Sequence, residues 1–302
     1  MRRKIIIGLL TAVSLLTLAS CSKSHTTKAA NELTFDLDNI ADVVISYDEE
    51  PITFIQSDSD ELIIKEYMTE NKQRYYANVK QSSSSILISE GRKPFFKAGF
   101  SRYIEVYYPK IYQGNLTVTT TNGNINMSDI VFKLSSLRIT TTAGAVHLDS
   151  TDASVIHLST TSGAMDLGDI KGEQIRLETT RGTIACQELC GTVNYTSTSG
   201  DIDVISAVGS GTYKANNSGK LQVVYTEVTG DLSFFNKNDN INLTLPQDLE
   251  FEFEAVTKNG SVSTSFQENM SIDKRTARRI VGSNPTVTVK AETNNGNIQV
   301  MQ

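Results

Sequence analysis

From residue 115 onward, apolar and polar side chains alternate in runs of about five residues, and a glycine interrupts the runs at a near-constant interval. Gly123, Gly144, Gly163, Gly182, Gly200 and Gly219 lie 21, 19, 19, 18 and 19 residues apart. Asp239, within Asn238-Asp239-Asn240, takes the same slot. Gly260 follows it, and Gly296 comes 36 residues after that. Around each slot, apolar residues stand seven and five positions before and two and four after. Ile156/Leu158 and Met165/Leu167 frame Gly163, and Ile175/Leu177 and Ile184/Cys186 frame Gly182. A second turn series, Gly172, Gly191, Gly211 and Gly230, runs half a period out of phase, with the Gly211 coil out of step by one residue.

Period-two alternation broken by Gly every nine or ten residues predicts short strands and turns, not helices. A meander has no reason to match each strand to the one two turns later. A solenoid does, because every coil stacks its positions on those of the coil before it, about 4.8 Å away. Thr121, Thr142, Thr161, Thr180 and Thr198 share one slot, which predicts a ladder of β-branched side chains along the axis. The expected fold is therefore all-β: a right-handed parallel β-solenoid, or β-helix, of about 19–20-residue coils, the hand following the usual crossover preference.

Residues 32–115 alternate less regularly. Leu33-Phe35-Leu37, Val43-Ile45, Ile52-Phe54, Leu62-Ile64, Ile86-Ile88 and Ile104-Val106-Tyr108 read as strands separated by longer polar loops. They form the irregular N-terminal start and cap of the same solenoid, with regular repeats over 116–302. The 36-residue spacing holds an insertion at 265–285 carrying Lys274, Arg275, Arg278 and Arg279, expected as a flexible or short helical loop. Ile298-Gln299-Val300 ends two residues before the C-terminus and reads as an uncovered last strand. The insertion is the nearby segment long enough to cap it, which predicts a monomer.

The first twenty residues stand apart from this pattern. Arg2, Arg3 and Lys4 precede an uncharged apolar run, Ile5 to Leu18, of 14 residues. That suits a signal-peptide core and falls short of the roughly 20 residues that span a bilayer. It ends in Leu18-Ala19-Ser20-Cys21, which resembles a bacterial lipobox, so Cys21 is the expected lipidation site. Residues 1–20 are then the signal peptide and 21–31 a polar tether. The expected location is the extracytoplasmic face of the cell membrane, held there by acyl chains on Cys21. Removing the leader's three positive charges takes the net charge from −6 to −9.

That acidity argues against a nucleic-acid partner. Candidate chemistry is sparse. Cys186 falls at an inward position and Cys190 where another repeat carries Lys171, so two inert thiols are expected in preference to a disulfide. The residues show no metal cluster, phosphate loop or nucleophile elbow. His147 and His157 point outward on different strands. Asp201 and Asp203 lie two apart with nothing to raise either pKa. No catalytic residue and no cofactor is expected. One outward column, Thr117, Arg138, His157, Arg176 and Asn194, forms a basic stripe that could meet an anionic wall polymer or glycan. With Lys274, Arg275, Arg278 and Arg279 it makes up the candidate ligand contacts. Tyr225 and Phe235 are the exposed aromatics expected on the regular coils.

The N-terminal alternation, the segment Tyr103-Ile104-Glu105-Val106-Tyr107-Tyr108-Pro109, the Thr-x-Gly-x-Ile cassette and the ending Thr293-Asn294-Asn295-Gly296-Asn297-Ile298-Gln299-Val300 resemble the bacterial putative-adhesin family. The resemblance covers residues 31–302. It implies a β-helical envelope protein, commonly a lipoprotein or membrane-linked, with a domain of unknown function and no catalytic residues to carry over. The expected function is non-catalytic binding, adhesin-like or scaffolding. The partners would be the membrane through Cys21 and a wall polymer, glycan, or host or neighbour surface ligand. A polysaccharide lyase or hydrolase on a β-helix, and an accessory role in envelope-stress signalling, are the alternatives.

Overall fold

The computed structural model describes residues 28–96, 99–266, 270–273 and 275–302. The leader, Cys21 and Lys274 lie outside them. The chain is a parallel β-solenoid with one continuous apolar core running from Phe35 to Val300. No α-helix occurs among the described residues, and none of their helices is long and apolar enough to cross a membrane.

The middle is built from β8 (Asn115–Thr119), β9 (Ile125–Thr141), β10 (Val146–Thr160), β11 (Met165–Thr179), β12 (Ile184–Ser197), β13 (Ile202–Ala215) and β14 (Leu221–Asn236). Each long strand bends at its centre, so its first half stacks on first halves and its second half on second halves. Met165 lies beside Ile184 and Ile184 beside Ile202, while Leu177 lies beside Tyr195 and Tyr195 beside Tyr213. The inward residues are almost wholly buried, each worth about 1.5–3 kcal/mol of transfer free energy. In the second turn series the stacked column is Gly172, Gly191 and Gly209; Gly211 lies beside Val193 instead.

The tight turns explain the glycine period. A Cβ on Gly144 would overlap the carbonyl oxygen of Gly123, and one on Gly163 that of Gly144. The coils approach so closely at this corner that a side chain has no room, whatever the local φ. The threonines that matter here stand one place earlier than the predicted ladder. Thr121, Thr142, Thr161 and Thr180 are exposed, whereas Thr120, Thr141, Thr160 and Thr179 are buried. The amides of Gly144, Gly163 and Gly182 donate to Thr141, Thr160 and Thr179 Oγ1 at 2.7–3.0 Å. The exposed column contributes its carbonyls, as where Ser162 N–H donates to Thr142 O at 2.8 Å.

At the N-terminal end lie β1 (Asn31–Asp36), β2 (Asp42–Ser46), β3 (Ile52–Ser57), β4 (Glu61–Met68), β5 (Asn78–Gln81), β6 (Ser85–Ser89) and β7 (Arg102–Pro109). Spatial order departs from chain order. The β2/β3 coil sits between the β8/β9 coil and the β6/β7 coil, all parallel. Antiparallel strands finish this end: β5 on β6, β4 on β7, and β1 on β4.

The C-terminal end repeats the exchange with β15 (Ile241–Thr244), β16 (Phe251–Thr257), β17 (Val262–Thr264), β18 (Ser271–Asp273), β19 (Thr276–Val281), β20 (Val287–Thr293) and β21 (Ile298–Met301). The expected uncovered strand, β21, is covered on both sides, by β15 and β17. The outermost coil is the earlier β16/β17. The insertion is not a loose or helical loop. Its described part forms the hairpin β18–β19, and β19 runs antiparallel along β16. A periodic sequence fixes the phase within a coil but not which coil stacks on which, because every coil offers the same pattern to a neighbour.

Candidate functional site

Three surface regions gather charged and aromatic side chains. The first is the outward basic column. Strand register places Thr117, Arg138, His157, Arg176 and Asn194 side by side, as the repeat implies. The column is not a free cationic stripe. Glu178, one column over, accepts from Arg176 at 2.6 Å and lies 2.7 Å from His157 Nε2. The Arg176 hydrogen bond holds the Glu178 carboxyl below its usual range. Arg138 stands exposed without an ion-pair partner among the described residues. His147 is flanked by Asp149 and Asp166 at 3.1 and 3.0 Å. Asp201 and Asp203 accept from Lys220 N–H and Gln222. Tyr225, expected outward, is buried. It continues the inward alternation of Leu221 and Val223, sits beside small Ala207, and lies 3.1 Å from Tyr213 OH. Phe235 is half-buried with Lys214 over its ring. Cys186 and Cys190 are free thiols, and burial pushes the Cys186 thiol up to about 12.

The second region lies on the outer sheet of the C-terminal end. The sequence Phe251-Glu252-Phe253-Glu254-Ala255 alternates, turning the phenylalanines into the core and the glutamates outward. The paired strands align Thr288, Glu252 and Ile280 in one row and Lys290, Glu254, Arg278 and Ser271 in the next. These residues line a groove of about 750 Å³. Arg278 bonds Glu254 at 2.6 Å, and Arg279 lies over the Phe266 ring and donates to its carbonyl. Arg275 and Lys290 are exposed, as is the side chain of Ile280. The insertion arginines were visible in the sequence. The facing Glu252, Glu254 and Lys290 were not, because the register that brings them opposite is not written in the repeat.

The third region is the corner of the N-terminal end, between β6 and β7, where residues 90–96 and 99–101 stand in place of a tight turn. Arg102 is buried and donates to Tyr75 O at 2.7 Å, Glu50 Oε1 at 2.8 Å and Glu90 Oε2 at 3.3 Å. Lys93 lies 3.3 and 3.2 Å from the same two carboxylates. Burial opposes ionisation of Glu50, but its hydrogen bond to Glu90 and the charges of Arg102 and Lys93 prevail and bring its pKa to about 2. Glu90 moves up, through burial and its contact with Glu50. Glu66, also fully buried, takes hydrogen bonds from Asn31, Tyr47 and Ala77 N–H. Beyond this polar knot, Phe95 and Phe96 project into solvent, 93% and 80% exposed. Adjacent phenylalanines outside any alternation were the available signal for them.

Residues 40–301 match the family described as Toastrack DUF4097. The chain belongs to that family. Among solved structures, it is similar to a putative adhesin from Parabacteroides distasonis at 13% identity, over 89% of this chain and 96% of that one, TM-score 0.49. A putative adhesin from Bacteroides fragilis matches at 11% identity, over 91% and 98%, TM-score 0.48. Another from Parabacteroides merdae matches at 14%, over 90% and 96%, TM-score 0.39. No curated protein matches the chain.

Proposed function

We propose that this Toastrack protein is a lipid-anchored, non-catalytic binding protein of the cell envelope whose ligand is a wall glycan or related polymer. The observation that carries the reading is the groove over β20, β16 and β19. The 265–285 segment interrupts the period and adds to the last coil a hairpin that the core of the regular coils does not require. The added strand lines a surface channel with an exposed cation, an Arg278–Glu254 pair, a hydroxyl and an aliphatic side chain. Such a mixture suits a hydroxyl-rich chain, which offers donors, acceptors and apolar ring faces together. Segments inserted at one place in a solenoid commonly carry binding specificity.

Support for a binding role also comes from the carboxylates. Glu254 is committed to Arg278, and the carboxyl pushed upward, Glu90, is enclosed in an ion-pair cluster at the opposite end. Glu254 lines the groove but is held by Arg278, and Glu90 lies away from the groove, so neither is free to act there as a general acid. The test is an array of wall polymers, glycans and matrix proteins probed with the protein and with the Arg278→Ala/Lys290→Ala variant. Retention of one polymer class, lost in the variant, is the expected result. Equal retention by both proteins would remove the groove from the binding site, and reproducible chain cleavage would replace binding by catalysis. For the anchor, Cys21→Ala should leave uncleaved precursor or shed protein, and normal membrane retention would refute it.

A further inference from the structure

Phe95 and Phe96 are the most exposed large apolar side chains among the described residues, and they stand together at a loop tip with their rings 5.0 Å apart. Other exposed apolar side chains, such as Ile111, Val131 and Ile205, stand singly, so it is the adjacent pair that has to be explained. They add nothing to the core, and the loop does not need them for support. Its base is fixed by Thr69, which donates to Gly99 O and accepts from Ser101 N–H, and by Arg92 N–H, which donates to Arg74 O at 3.2 Å.

The neighbourhood of this tip is distinctive in two ways. First, it presents two guanidiniums, while the nearby carboxylates of Asp48, Glu49, Glu50 and Glu90 gather around Lys93. Arg92 is exposed next to the tip, and Arg74, on the adjoining loop, has its guanidinium over the Tyr75 ring instead of a carboxylate. Second, it lies where the chain enters the fold. Asn31 begins the first strand, and Asn31, Arg74 and Arg92 line one cavity of about 440 Å³. From Cys21 to Asn31 is ten residues, a reach of at most about 35 Å even when fully extended.

We propose that the Phe95–Phe96 tip, with Arg92 and Arg74 beside it, is a bilayer-interface contact that seats the N-terminal end of the solenoid on an anionic lipid surface. The inference rests on the reading of Cys21 as the anchor. Two adjacent exposed rings offer little area to a rigid partner, but a fluid acyl–headgroup boundary closes around them. The flanking guanidiniums meet lipid phosphates at the same depth. A short tether keeps the tip at that surface, so even a weak contact is occupied most of the time. Seating this end orients the solenoid and holds the groove at the other end away from the membrane.

The chain contains no tryptophan, so Phe96→Trp introduces a single indole whose emission is excited apart from that of the tyrosines. The full chain, purified from membranes, is reconstituted into phosphatidylglycerol-containing vesicles whose acyl chains carry bromine. The Ile280→Trp variant serves as the control at the opposite end. Quenching of Phe96→Trp by about twofold or more, with Ile280→Trp unaffected, is the expected result. An unquenched Phe96→Trp variant on protein shown by mass spectrometry to be acylated overturns the proposal and leaves a protein partner as the occupant. If Cys21 carries no acyl chain, the anchor reading fails. Adding brominated vesicles to that protein then decides the tip separately, quenching supporting it and none refuting it.

Discussion

At the N-terminal end, β5 runs antiparallel on β6 and β4 antiparallel on β7, so both faces of the outermost parallel coil are covered by reversed strands. At the C-terminal end β19 covers β16 alone, and the other face finishes in β17, three residues long. Both ends bring the chain out past one coil position and back to fill it. The comparison shows two ways of stopping a structure that could otherwise propagate. One end is closed by reversal on both faces with a buried charge cluster beneath. The other is closed by reversal on one face and by shortness on the other, and shortness also blunts an edge. The less complete closure is the one that offers a groove.

The largest expected effect follows from removing the reversal. Replacing residues 266–285 by a four-residue turn should expose all seven residues of β16 as a parallel edge, and concentration-dependent assembly should appear in sedimentation velocity runs. A variant that stays monomeric and equally soluble would show that β17's shortness is sufficient, leaving ligand contact as the hairpin's purpose.

The buried cluster of the N-terminal end supplies the next test. Arg102→Met removes the buried cation and leaves Glu50 and Glu90 to Lys93 alone, at an expected cost of about 3–5 kcal/mol. Hydrogen exchange should show the loss in β6 and β7 and spare β16 and β20; uniform loss would mean that the solenoid unfolds as one unit. The same cluster sets an acid limb. Glu50 has its pKa lowered from 4.5 to about 2, so its contribution is complete above the ordinary value and disappears as pH falls toward the lowered one. Glu90, shifted upward, acts with opposite sign: its contribution is lost as pH rises through its raised value. Glu50→Gln should therefore weaken the N-terminal end at neutral pH and flatten its stability loss between pH 4.5 and 2. An unchanged acid limb would place the titration elsewhere.

A smaller effect separates the middle from either end. Gly163→Ala forces a Cβ onto the Gly144 carbonyl within coils held on both sides, an overpacking worth about 1–3 kcal/mol. Gly260→Ala meets the Gly296 carbonyl in the same way, but its coil is outermost and can shift outward. Denaturant midpoints should rank Gly163→Ala below Gly260→Ala, and the reverse order would deny the end coil that freedom.

The middle was legible because stacking writes itself into the chain: a corner too tight for Cβ demands Gly in every coil, and inward alternation repeats with it. The ends were half legible. Val43-Ile45 and Phe251-Phe253 announced strands, but parallel or reversed pairing leaves the same alternation, so β4, β5 and β19 could not be distinguished from coils or loops. The Arg102 cluster joins residues 50, 90, 93 and 102 across an exchanged coil order, which no local spacing encodes. The Thr column was found one residue out of place, since Thr occupies both slots and only burial tells them apart.

That last distinction gives the finest test. Thr160→Val preserves shape and deletes the acceptor of the Gly163 amide, bonded at 2.8 Å. One hydrogen bond at a buried corner is worth about 1 kcal/mol net. The column already contains a natural deletion at Ala215, where register places a methyl between Ser197 and Asn236. The next coil compensates: Asn236 donates to Gly219 O at 2.6 Å and Asn240 O at 3.3 Å, and accepts from the amides of Asn238 and Asp239. Asn236 therefore holds two corners, its own and the one that Ala215 leaves open. Asn236→Ala should cost roughly twice what Thr160→Val costs, with faster amide exchange around both Gly219 and Asp239. If the two variants are equally stable, the Ala215 corner needs no side-chain bond, and the buried Thr column stabilises each turn by its packing instead.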